Sequence, residues 1–284
     1  MSIDVRQSPE YAKYIEFIGW QVEKIGKWNV FVKKFPLLGS LIKIQRIEPP
    51  IPFGEIEKLA KKHRAFQIIV EPSFAPQTPH DYRPLKSPFV PTKTLILDLR
   101  QTEEKIFASF SKNKRRDIRI AEKNHLVIKE GSPQDFVRLK KKTLWKKRIL
   151  PLGTEREVLP LVKAFGGKSK ILVVYPSEAR QFGGAKEGLP LAGTLLLFHN
   201  KTAYYWQAAA TNTGKKFMAP TLLLWEAIKL AKKKGCEVFD FEGVYDERFP
   251  KNKSWLGFTH FKKGFGGKEV FYPEPSVKNR LPFL

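Results

Sequence analysis

The sequence predicts an α/β fold built from two similar halves, on three observations. Strand-length apolar runs alternate with amphipathic helical stretches. The segment Lys58-Leu59-Ala60-Lys61-Lys62 returns 171 residues later as Lys229-Leu230-Ala231-Lys232-Lys233, and the same offset aligns Glu55 with Glu226 and Glu71 with Glu242. Each copy reads as a helix turning into an apolar strand, 66–70 in the first and 238–241 in the second, with a hairpin upstream. Lys-Leu-Ala-Lys is common helical sequence. The shared hairpin–helix–strand order makes duplication the better reading. The expected domains are 1–100 and 101–284, the second opening with a basic helix.

The elements follow in order. Residues 8–19 read as a helix capped by Ser8, with Pro9 in the first position and Gly19 at the end. Strands at 30–32 and 41–47 flank a turn at 36–39, and the Pro-rich stretch 72–91 reads as extended. Thr102 caps a helix to about Lys123, with Glu103 and Glu104 in its first turn and Ile106, Phe110, Ile118 and Ala121 on one face. Ser132-Pro133 opens another, to about Arg148. Residues 176–188 read as a polar loop. Strands at 191–198 and 203–209 flank Asn200-Lys201. The echo helix opens at Pro220-Thr221, turns Leu224, Ile228 and Ala231 inward, and ends at Gly235; Cys236 is placed on the next strand.

The 284 residues carry a net charge of +24, which points to an anionic partner: nucleic acid, a phosphorylated metabolite or an anionic membrane face. One cysteine excludes a disulfide framework or a cysteine–zinc site. The first ten residues lack a signal-peptide pattern, and the apolar runs are too short to span a bilayer. The expected location is the cytoplasm, with peripheral contact at the cytoplasmic membrane.

Three groups of residues could carry chemistry. The helix bearing Lys112, Lys114, Arg115, Arg116, Arg119 and Lys123 is positive over much of its surface and suits phosphates, unless it is only a solvated face. A second cluster, Lys140 to Lys142 with Lys146 to Arg148, suits a polyanion. Tyr204, Tyr205, Trp206 and Phe217 alternate along a strand and beyond it, so some rings are expected to point outward, where they could stack on a base or sugar. The run Phe239-Asp240-Phe241-Glu242-Gly243 ends a buried strand on carboxylates, and Phe261-Lys262 follows with a cation read at a strand end, where it could stabilise an oxyanion. No P-loop, dinucleotide fingerprint, nucleophile elbow or metal-ligand spacing of histidines occurs. What remains is a template that aligns two substrates.

These residues also match a family pattern. Gln7-Ser8 with Tyr11, Asp98-Leu99 with Asn113 to Lys123, Leu224-Trp225-Glu226-Ala227-Ile228 with Asp240-Phe241-Glu242-Gly243, and Gly257-Phe258 with Phe261-Lys262 and Phe265-Gly266-Gly267 resemble, in order, motifs of the Fem aminoacyltransferases. That family builds peptidoglycan cross-bridges from aminoacyl-tRNA. The resemblance implies two tandem GNAT (acyl-CoA N-acyltransferase-like) subdomains with a cleft between or across them. It implies transfer of glycine, alanine or serine from aminoacyl-tRNA to the side-chain amine of a peptidoglycan precursor, lipid-linked or UDP-linked, with no cofactor or metal. By position it makes Lys262 the catalytic lysine, with Phe261 lining the site. It places Lys13, Arg156, Tyr205 and Asp98 at the substrate, and Lys114, Arg115, Arg116 and Arg119 remain the tRNA-facing cations. Two alternatives stand beside it. One is an acyl-CoA-dependent N-acyltransferase, disfavoured because Thr211 to Lys216 contains a single glycine. The other is a non-catalytic RNA-binding protein.

Overall fold

The computed structural model describes residues 4–146, 148–177 and 189–280. Its chain forms two compact units: residues 1–94 with 245–254 and 270–284, and residues 95–244 with 255–269. A single cut near residue 100 therefore does not separate them, because the first unit takes back two later segments.

The first unit begins with α1 (Pro9–Phe17), where Ser8 Oγ accepts from the Tyr11 amide at 3.0 Å and Pro9 fills the first turn, as the sequence predicts. Then come β1 (Gln21–Ile25), β2 (Trp28–Phe35), β3 (Gly39–Ile47), α2 (Phe53–Lys62), β4 (Ala65–Pro72) and the two-residue β5 (Arg83–Pro84). The next strand, β6 (Lys93–Asp98), leads into the second unit.

There the long helix expected over 102–123 is two helices, α3 (Glu103–Ser109) and α4 (Lys112–Lys123). Phe110 and Ser111 are extended between them, and Ser111 Oγ accepts from the Lys114 amide. A serine that can bond a nearby amide competes with the helix and becomes a cap. Next come β7 (Leu126–Glu130), α5 (Pro133–Lys146) and α6 (Thr154–Phe165). Helix α6 escaped the sequence reading because Gly153 and an internal Pro160 interrupt its pattern. The unit continues with β8 (Ser169–Pro176), β9 (Ala192–His199), β10 (Thr202–Ala210), α7 (Asn212–Lys216), α8 (Ala219–Lys233), β11 (Val238–Gly243), α9 (Leu256–Lys263) and β12 (Lys268–Phe271). Cys236 is buried in the turn before β11, not on it. Most of the loop expected over 176–188 lies outside the described residues.

β13 (Ser276–Asn279) returns to the first sheet, whose order is β1-β2-β3-β4-β13-β5. The second sheet runs β12-β6-β11-β10-β9-β8-β7. The module inferred from the internal echo occurs in both: an antiparallel hairpin, a helix, and a strand returning parallel to the hairpin's second strand. In the first sheet it is β2-β3-α2-β4, in the second β9-β10-α8-β11. Such a parallel return needs a crossover helix, so α2 and α8 each bury one stripe on their own sheet. Ile56 and Ala60 do so in the first unit, and Leu224, Ile228 and Ala231 in the second.

Candidate active site around Lys262

The second unit's core ends in an aromatic cluster at the foot of β11. Phe239 and Phe241, two apart on the strand, turn to the core, while Asp240 and Glu242 take the opposite side. Phe241 packs toward Phe265, which meets Phe110 at 5.1 Å, and Phe110 meets Trp225 edge-on at 5.3 Å. Such edge-to-face pairs contribute about 0.5–1.5 kcal/mol each beyond their burial. They pin α9, α3 and α8 to the end of the sheet.

On this base α9 delivers Lys262. The residue sits on a helix and not at a strand end, as the sequence suggested; the strand end it faces is that of β11. It is 8% exposed, and its Nζ donates to the Gly243 carbonyl at 2.8 Å. The ammonium lies 4.9 Å from the Phe258 ring centre and 5.9 Å from that of Tyr205. Burial pushes it down to about 8, while the negative charges of Glu242 and Asp240 act to keep the proton. At neutral pH it therefore remains a cation in a poorly solvated place, where a charge acts over a low effective dielectric.

The carboxylate side is fixed by backbone. Asp240 Oδ1 accepts from the Glu242 amide at 2.7 Å, and Glu242 occupies the left-handed region at φ +59°. That conformation is unfavourable for a residue with a Cβ. Asp240 and Glu242 were visible in the sequence as a strand-end pair, but their meeting with Lys262 needed the fold.

Phe261, one step earlier on the helix, points elsewhere. Its ring packs on Phe265 at 5.4 Å and lies under Lys114 Nζ at 4.2 Å. Lys114 is half-buried there, and burial lowers its pKa. Its stem occupies the space a side chain at Gly264 would need, since a Cβ there would lie 2.8 Å from Lys114 Cγ. The Gly264 carbonyl accepts from the Ser111 amide at 2.9 Å. The start of α4 and the end of α9 are thus locked together. The other cations, Lys112, Arg115, Arg116 and Arg119, line with Asn113 an open basin of about 490 Å³.

The remaining expected residues fall in different places. Tyr205 is buried, with burial raising the pKa of its phenol, and Tyr204 is buried too, so neither ring points outward as the alternation suggested. Tyr204 and Tyr205 pair in regular register with Leu197 and Leu196, and β10 lies inside the sheet between β9 and β11, where both alternating side chains are buried. Asp98 closes a turn, accepting from the Arg100 backbone at 3.0 Å and from its guanidinium at 2.9 and 2.8 Å, which holds its carboxyl down to about 2. Arg156 is exposed on α6, and Lys13 is exposed on α1 in the first unit. Gly214, the glycine of the Thr211–Lys216 turn, is required by packing: a Cβ there would lie 2.2 Å from the Leu191 carbonyl oxygen.

Residues 176–272, the stretch from β9 to β12 that holds Lys262, match the FemAB family. That match covers about a third of the chain. Over 79 residues, 28% of its length, the chain is 30% identical to the Lipid II:glycine glycyltransferase of Staphylococcus haemolyticus, and that stretch is 19% of the relative. The Staphylococcus aureus protein of the same name is 31% identical over 80 residues, again 19% of its length. The matched part thus spans about a fifth of these curated relatives. The crystal structure of FemX aligns with a TM-score of 0.74 at 16% identity, covering 98% of this chain and 93% of FemX. L-PGS from Bacillus licheniformis aligns with a TM-score of 0.59 at 14% identity, covering 94% and 86%. These likenesses are of fold alone: α/β, with two sheets.

Proposed function

We propose that this chain is a Fem-family aminoacyltransferase that extends a peptidoglycan interpeptide bridge, moving glycine, alanine or serine from aminoacyl-tRNA to the side-chain amine of a precursor stem peptide. The observation that carries the reading is the buried, protonated Lys262 at the end of β11. The names of the sequence relatives support the precursor as acceptor.

The chemistry asks little of acids and bases. The acceptor amine, deprotonated, attacks the ester carbonyl of the donor. The carbonyl oxygen gains negative charge, and the tetrahedral intermediate collapses with loss of the ribose oxygen, which takes up the proton shed by the nitrogen. An amide forms and the ester breaks. The barrier is mostly alignment and oxyanion charge. Lys262 supplies the cation for that charge, with the Gly243 carbonyl and the rings of Phe258 and Tyr205 fixing its direction. Tyr205 acts here by positioning the ammonium, and Phe261 by tying α9 to Lys114 on α4. The basin of Lys112, Arg115, Arg116 and Arg119 takes the RNA backbone. Lys13 of the first unit and Arg156 of the second, both exposed cations, are each proposed as a phosphate contact within its own unit, and Asp98 as a residue near the substrate.

The test is transfer of a labelled amino acid from a panel of charged tRNAs to a lysine-containing muropeptide. Transfer should occur with at least one tRNA and vanish after ribonuclease treatment of the donor. Transfer that survives ribonuclease rejects tRNA as donor.

A further inference from the structure

The end of α5 carries two features that the transfer reaction leaves unused. The first is apolar. Trp145, Ile149, Leu150 and Leu152 are 64%, 51%, 67% and 84% exposed within eight residues of chain. The segment is held by backbone bonds: the Arg148 amide donates to the Trp145 carbonyl at 2.9 Å and the Ile149 amide to the Leu144 carbonyl at 3.0 Å, with Arg148 at φ +57°. That pattern is a hydrogen-bonded helix stop, and it fixes the backbone of Arg148 and Ile149 against the end of α5. Large apolar side chains grouped at the surface mark a contact site.

The second feature is charge. Lysines on α5 divide into two sets. Lys140 and Lys141 are neutralised by Glu157 and Glu155 of α6, at 2.7 and 2.6 Å. Lys142 and Lys146, one turn apart, instead converge with Lys215 on a small cavity of about 150 Å³, together with Thr143, Thr211 and Asn212. Among the described residues none of these three lysines has a carboxylate partner. Three like charges around one cavity call for an anion there.

We propose that this corner docks the protein on an anionic lipid bilayer, with Trp145, Ile149, Leu150 and Leu152 entering the interface and Lys142, Lys146 and Lys215 holding lipid phosphates. An indole and aliphatic side chains beside lysines are the composition of an interfacial anchor. RNA satisfies the lysines but leaves Leu150 and Leu152 without a partner, since bases stack on aromatic faces. A chain of net charge +24 is drawn to an anionic leaflet in any orientation, and the apolar corner selects one.

The experiment is sedimentation of the full chain with vesicles of phosphatidylglycerol and phosphatidylethanolamine, against neutral phosphatidylcholine vesicles. Neither contains a peptidoglycan precursor, so the outcome is independent of whether transfer is ever observed. The protein should bind the anionic vesicles and leave the neutral ones. L150S/L152S should lower partitioning at least about tenfold. K142Q/K146Q/K215Q should lower it about a hundredfold, at roughly fivefold per lysine, and flatten its salt dependence. L37S/L38S, at an exposed apolar turn of the first unit, should leave it unchanged. Circular dichroism confirms that each variant is folded. Equal binding to both vesicle types overturns the proposal, as does a loss confined to L37S/L38S. Absence of vesicle binding, with K142Q/K146Q/K215Q weakening a tRNA gel shift, assigns the corner to RNA instead.

Discussion

The two units place a carboxylate at the same point of the same module and surround it differently. Glu71 stands near the end of β4 and Glu242 near the end of β11, the pair aligned by the internal echo. Glu71 is buried, and its carboxylate accepts from the Phe89 and Val90 amides at 2.7 and 2.9 Å and from Gln45 at 3.0 Å. Its nearby cation, Lys43, lies on Phe89 and Trp20, and burial brings it down to about 8. Glu242 has a left-handed backbone, and the cation near it, Lys262, comes from α9, outside the module. One copy uses the strand-end carboxylate to fasten a loop. The other sets it beside a buried ammonium. A duplicated scaffold thus supplies the acid twice, and an added helix sets a buried lysine beside one copy alone.

The largest expected effect breaks this comparison at the cations. Lys262→Met should lower kcat about 10²- to 10³-fold with KM nearly unchanged, as for loss of one oxyanion donor. Lys43→Met should change kcat less than fivefold by the same rough scale. Equal losses in the two variants would remove the asymmetry between the units.

Next come the carboxylates. Glu71→Ala leaves the buried Val90 amide, the part-buried Phe89 amide and the Gln45 side chain without an acceptor and should cost about 3 kcal/mol in urea unfolding. A cost below about 1 kcal/mol would mean the loop holds without its clamp.

The pH profile sharpens the comparison. Lys262 has a folded pKa of about 8, below the ordinary lysine value, so kcat/KM should fall above pH 8 as the ammonium is lost. Lys262→Arg, if active, should keep its activity there, since guanidinium stays charged. The stability sign is opposite. Between pH 8 and the ordinary lysine pKa the unfolded chain binds more protons, so stability contributed at this site rises with pH across that window, and Lys262→Met should flatten the rise.

The smallest effect is at Glu242. Glu242→Gly relieves the left-handed strain and should stabilise the protein by up to about 1 kcal/mol, read in urea unfolding. It also removes a charge that favours the protonated lysine, so the alkaline limb of activity should move to lower pH. An unmoved limb would mean that Glu242 does not govern Lys262.

The module was legible in the sequence because its signals are local. Ser8-Pro9 marks a helix start, Gly235 a helix end at φ +76°, and the apolar runs of β4, β9 and β11 have strand length. Lys262 was legible as one candidate among several from its aromatic neighbour, and as the catalytic lysine only through the family pattern around it. A lysine in so basic a chain carries no sign of burial, which arises when α9 folds back on β11. Phe110-Ser111 misled because an extended pair between two helical stretches leaves the helical period nearly in phase. The packing of Lys114 depended on Gly264, far along the chain, whose missing side chain makes room for it.

The position of β13 sets an order of assembly. It lies between β4 and the short β5, yet it is translated only after every residue of the second unit. During synthesis the edge of β4 emerges from the ribosome long before its neighbour exists. The domain begun first cannot be finished first, although nascent domains commonly fold in chain order. Until translation reaches Ser276, that bare edge needs shielding from other nascent chains.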